Sequence, residues 1–130
     1  MDGHLIGGVK LYEIFLKRVY DPFDEDDGVR ILIDRLWPRG ISKQDARMDL
    51  WLKDVAPSTE LRKAFNHKPE LFEEFRTQYL DELQTNEQQS KAVKQIIELA
   101  SKERVTLLYG AKDPIHNHAK VLLEELIRRT

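Results

Sequence analysis

Two short runs in this chain are apolar almost without a break: Val29-Arg30-Ile31-Leu32-Ile33 and Val105-Thr106-Leu107-Leu108-Tyr109. A strand with one face in water alternates polar and apolar residues, whereas a strand covered on both faces need not. The two runs therefore predict strands inside a sheet that is covered by helices. Residues 14–20 form a third apolar stretch, the first strand in chain order. Only about eight residues, Asp21 to Gly28, separate it from the second strand, predicted over residues 29–36. A parallel crossover between neighbours takes roughly a dozen or more, so those two strands are expected to pair antiparallel if they lie side by side. A long helical stretch precedes Val105, ample for a parallel return. The expected fold is α/β, a small mixed, partly parallel sheet of about three strands sandwiched by helices.

Helix signals fill the rest of the chain. Ser42 and Asp45 have capping-box spacing, and another helix is expected from near Ser58 to about Asn66. Leu71, Phe72, Phe75, Tyr79 and Leu83 recur at helical spacing after Pro69. Val93, Ile96, Ile97 and Ala100 mark the next helix, and Ile115, Ala119, Leu122, Leu123 and Leu126 the last. Asp113 before Pro114 pairs a side-chain acceptor with a first-turn proline, so the last helix is expected to open there. Asp24-Glu25-Asp26-Asp27 reads as a solvated loop. Gly7 and Gly8 suggest a flexible lead-in over residues 1–13, with a single domain over residues 14–130.

Composition removes several function classes. The net charge of −2 lacks the basic excess of a dedicated nucleic-acid binder, so that partner is disfavoured. No cysteine is present, which excludes disulfides, thiolate nucleophiles and cysteine zinc sites. No apolar run approaches bilayer length and the start lacks the build of a signal peptide, so no membrane partner and a cytoplasmic location are expected. His116 and His118 stand two apart and would diverge on a helix, so no metal and no cofactor is expected from them. Nothing in the residues signals an oligomeric state.

In open α/β sheets, ligands bind beyond the carboxyl ends of the strands. The second strand runs out into Asp34-Arg35-Leu36-Trp37-Pro38-Arg39-Gly40. The third runs out through Tyr109-Gly110-Ala111-Lys112 into Asp113-Pro114-Ile115-His116-Asn117-His118. If these strands are parallel neighbours, both loops meet at one edge. A small anionic ligand, phosphate- or nucleotide-like, is the expected occupant. Arg35, Arg39 and Lys112 would supply charge, Trp37 and Trp51 a stacking wall, and Asn117 a polar contact. The helix start after Asp113 would add backbone N–H groups. Asp34, Tyr109, Asp113 and His116 are the groups suited to proton transfer, should there be turnover.

Each residue also has a structural reading. Asp34 can form a salt bridge with an arginine, Trp37-Pro38 can be a rigid corner, and Asp113 can simply cap a helix. Trp51-Leu52 reads as core or pocket wall, followed by a capped helix whose N-terminus can face the same edge. His67 sits at a helix break and reads as satisfying a turn. The rival function is a non-catalytic interaction protein that meets a macromolecule through Trp37, Trp51 and their arginines. A third reading, a metal edge built from His116, Asp113 or His67, is weaker.

Taken in order, Arg18-Val19-Tyr20-Asp21, Asp34 to Gly40, Trp51-Leu52-Lys53-Asp54 with Ala56-Pro57-Ser58, and Leu107-Leu108-Tyr109 leading into Asn117 form a specific set. Together they resemble the YeaO-like branch of the domain-of-unknown-function 488 family, from about residue 14 to the C-terminus. The resemblance implies a compact α/β fold and a small bacterial or archaeal cytosolic protein, and no activity. Other branches carry a Cys-His-Arg run after the last strand. This chain has His116-Asn117-His118 near there and no cysteine, so thiol chemistry does not carry over.

Overall fold

The structure is a computed structural model and describes residues 3–6 and 9–129. Gly7 and Gly8, on which the expected lead-in partly rests, lie outside the described residues. Two strands, β1 (Gly3–Ile6) and β2 (Val9–Tyr12), pair antiparallel as a hairpin, and Leu11 reaches the core. The main sheet comprises β3 (Ile14–Arg18), β4 (Val29–Leu32), β5 (Leu50–Trp51) and β6 (Val105–Tyr109), in the order β3-β6-β4-β5.

The α/β expectation holds, with four strands in the main sheet, all paired in parallel. The antiparallel pairing of β3 with β4 does not form, because β6 lies between them. Residues 19–28 can still make a parallel connection: extended chain of that length reaches about 33 Å, whereas a five-residue strand spans about 17 Å. No crossover helix is needed, only one 3-10 turn at Glu25–Asp27. Every residue of β6 is buried, as its apolar run predicts.

Four helices cover one face of the sheet: α2 (Thr59–Phe65), α3 (Phe72–Thr85), α4 (Glu87–Ala100) and α5 (His118–Arg128). There Ile31, Leu107 and Tyr109 meet Phe75, Tyr79, Val93, Ile96 and Leu122. Strand alternation sends Leu32 and Leu108 to the opposite face. They join Val19 and Ala46 there, with Trp37, Ile41, Met48 and Trp51 packed around them. That face is covered by the loop after β4 and its one-turn helix α1 (Lys43–Ala46).

Caps fall where the sequence places them at Ser42 and Ser58, whose hydroxyls accept from the N–H groups of Asp45 and Leu61. The last helix opens later than Pro114. Asn117 caps it by accepting from Lys120 N–H, while its amide donates to the Asp113 carbonyl. Asp113 closes a separate turn. The acidic loop is not wholly solvated either, since Asp27 is only 6% exposed and pairs with Lys17 and Arg30.

Glu125 ties the end of α5 to the helices beside it. Its fully buried carboxylate accepts from Arg128, Arg129 and Gln84. Burial alone would raise this carboxyl, but those donors outweigh it and hold it at about 2, against an ordinary 4.5. A depressed folded-state value means that its stabilisation is present above pH 4.5 and fades as the pH falls towards 2. Urea midpoints measured across that window should drop less steeply in Glu125→Gln than in the parent protein.

Candidate functional site

After β4 the chain turns to α1 on one face, and after β6 to α5 on the other. Where neighbouring parallel strands diverge in this way, a crevice opens at their carboxyl ends. A pocket of about 550 Å³ occupies it. Its lining brings together Asp34, Arg35, Trp37 and Arg39 from the loop after β4 with Lys112, Asp113, His116 and Asn117 from the loop after β6. Tyr109 and Trp51 are not in the lining. Tyr109 shares strand parity with Val105 and Leu107 and so faces the main core, where burial pushes its hydroxyl above its ordinary value.

Asp34 stands at the junction of the two loops. Its Oδ2 accepts from Gly110 N–H at 3.0 Å, and a Cβ on Gly110 would lie 2.8 Å from that oxygen. A glycine is therefore needed there for close approach. The other oxygen, Oδ1, lies 3.1 Å from His118 Nε2. That nitrogen has hydrogen-bonding geometry towards the Ile33 carbonyl instead, at 3.3 Å, so Oδ1 is buried without a hydrogen bond. Among the described residues Asp34 pairs with no arginine; the side chain facing its carboxylate is His118.

Arg35 is engaged by backbone, donating from Nε to Pro57 O at 3.2 Å and from Nη2 to Ala56 O at 3.0 Å. Arg18 secures the facing loop, donating to the carbonyls of Gly110 and Ala111. Tyr20 donates its hydroxyl to Arg39 O, which leaves the exposed Arg39 side chain at the rim. Trp37 meets Trp51 edge-on, with ring centres 5.3 Å apart, and neither stacks with an arginine. Their indole N–H groups donate to Ile41 O and Asp34 O, each at 2.7 Å. Both rings are half-buried corner pieces.

Asp113 takes the N–H groups of Ile115 and His116 on Oδ1 and faces His116 Nδ1 at 2.9 Å through Oδ2. The His116 N–H above all, then that of Ile115 and the imidazole, hold its carboxyl at about 2. The N–H groups expected to face a ligand here are thus taken by Asp113. His116 also lies edge-on to Phe72. Among the described residues, no group of three or more His, Asp or Glu side chains is arranged to hold a metal.

Sequence reasoning missed Arg62, His118 and the aromatic wall of Phe65 and Phe75. Arg62 lies one turn into α2, and its Nε is buried with no hydrogen-bond partner. The usable signal was parallel topology, since α2 follows β5 and begins at the same sheet edge. His67 also lines the pocket, and with Asn66 it ends α2 in two consecutive left-handed residues. In all, four cationic side chains (Arg35, Arg39, Arg62, Lys112) face two carboxylates (Asp34, Asp113).

Fold and pocket together define a small parallel α/β domain with a pocket of mixed charged and apolar lining at the carboxyl edge of its sheet. The chain belongs to the DUF488 family, within the branch described as the "Inactive DUF488-N3 subclade", which matches residues 13–130. It is 52% identical over 110 residues to the uncharacterized protein YeaO of Escherichia coli K12, covering 85% of this chain and 93% of that one. It is 41% identical over 118 residues to the uncharacterized protein Rv3073c of Mycobacterium tuberculosis H37Rv, covering 91% and 97%. No solved structure matches. No helix among the described residues is long and apolar enough to cross a membrane.

Proposed function

We propose that the protein binds a small anionic ligand in this pocket and does not turn it over. The observation that carries the reading is Arg62 Nε, a cationic donor buried in the pocket wall with nothing to donate to. A buried donor without a partner is costly, and an anion in the pocket would satisfy it. Arg39 and Lys112 add charge around the same space.

Two of the four candidate proton-transfer groups are poorly suited to turnover, which favours binding. A group effective near neutrality needs a pKa near the working pH. Asp113 is held at about 2, and Tyr109 is pushed up and faces the core. The family description, "inactive", points the same way. Recognition of a macromolecule through the tryptophans is less well supported, because both indole N–H groups are engaged by backbone.

A thermal-shift screen of inorganic phosphate, phosphate monoesters and organic acids tests the reading, since a ligand specific to the folded state raises Tm by mass action. For whichever anion stabilises the parent protein, Arg62→Met is expected to weaken binding at least about tenfold. Arg128→Gln, outside the pocket, should not. Equal stabilisation of parent and Arg62→Met would sink the proposal.

A further inference from the structure

The geometry points to a two-ended ligand, a phosphate monoester whose body carries a hydrogen-bond donor, with a nucleoside 5′-monophosphate as the compact example. This rests on the anion-binding reading above and adds to it the second end and the charge state. Among the described residues, two buried side-chain atoms lack a hydrogen-bond partner: Arg62 Nε, a donor, and Asp34 Oδ1, an acceptor. Both residues line the same pocket. Buried polar groups are overwhelmingly satisfied in native proteins, so two orphans of opposite kind in one cavity call for one occupant that accepts at one end and donates at the other.

Asp34 is placed to read that donor. Gly110 N–H fixes Oδ2, whereas Oδ1, 3.1 Å from His118 Nε2, has no hydrogen bond and can still accept one. A ribose hydroxyl or a base N–H, carried on a body away from the phosphate, fits such an acceptor; inorganic phosphate, whose dianion keeps a single P–OH, has no body to place a donor apart from its anionic end. Size agrees: about 550 Å³ is far more than a bare oxyanion fills and lies within the range of small-molecule sites. Phe65, stacked on Phe75 with centres 4.5 Å apart, gives the pocket an apolar wall for the body. Charge selects the head. Four arginine and lysine side chains against two carboxylates leave an excess of two, which suits a phosphate monoester dianion better than a single carboxylate.

Calorimetric titration of the full chain with inorganic phosphate and with the four common nucleoside 5′-monophosphates tests this. At least one nucleotide should bind about tenfold or more tighter than phosphate, a difference of about 1.4 kcal/mol. In Asp34→Asn the amide can keep the Gly110 N–H bond through its oxygen, but it puts a donor where Oδ1 stood. The nucleotide's advantage should vanish there, with phosphate binding retained. Phosphate and nucleotides binding the parent equally, or a tenfold advantage surviving in Asp34→Asn, would overturn the two-ended ligand and leave the anion pocket standing. No binding of either probe would overturn both. A readout on the unaltered chain guards against a misfolded variant: nucleotide should shift the Gly110 amide resonance and phosphate should not. An unmoved Gly110 resonance at nucleotide saturation counts against the inference.

Discussion

Asp27→Ala is expected to lower the free energy of unfolding by about 3–5 kcal/mol, the range for removing one partner of a buried ion pair. Arg30, on β4, is 1% exposed and its partner Asp27 only 6%. Arg30 donates Nη1 to Asp27, Nε to Arg47 O and Nη2 to Ala46 O, joining the sheet to the loop that covers its outer face. Asp27 also receives Lys17 Nζ and the backbone N–H of Asp24. Burial alone would raise the Asp27 carboxyl, yet Lys17, Asp24 and Arg30 together hold it below its ordinary value. Removing that carboxylate leaves the buried Arg30 guanidinium without its counter-charge. Lys17→Met should cost about 1 kcal/mol or less, because Lys17 is partly solvated and Arg30 still neutralises Asp27. Urea unfolding of the two variants side by side checks the ranking, and equal losses would refute it.

Asp27 also shows where sequence reading fails. In a run of four acidic residues, nothing local marks the last as buried. Its partner Arg30 sits inside an apolar strand, and an unexplained charge there is the only hint. The strands themselves were legible for a simple reason: β4 and β6 are buried on both faces, so their apolar runs are nearly unbroken. From their parallel return and the rule about carboxyl ends, the meeting of the Asp34 and Lys112 loops could be foreseen. Partners could not. Arg35 looked like a free anion ligand, but its contacts with the carbonyls of Ala56 and Pro57 depend on β5, two residues long and too short to leave a pattern. Arg62, between Leu61 and Phe65, reads as the polar face of an amphipathic helix until the pocket beneath it is known. Parity along β6 would have sent Tyr109 to the core, had the face been assigned first.

Gly28→Ala is the second substitution expected to be severe, at about 3 kcal/mol or more, because strain and collision act together. Gly28 ends the 3-10 turn and starts β4 with φ +67° and ψ −138°, a combination that suits glycine and no other residue. A Cβ built there would lie 2.1 Å from the backbone oxygen of Arg104. That oxygen cannot move aside, since it accepts the N–H of Val29 at 2.9 Å and sets the register of β4 against β6. Those two strands carry the loops that meet at Asp34 and Gly110, so a shift in their register would also open the pocket. Gly40 provides the control. It too has a positive φ, +78°, but a Cβ there meets nothing within 4 Å. Gly40→Ala should therefore cost only the left-handed penalty of about 1–2 kcal/mol. Thermal unfolding of the pair separates the effects: a loss at Gly28 no larger than that at Gly40 would show that the collision with Arg104 is relieved at no cost.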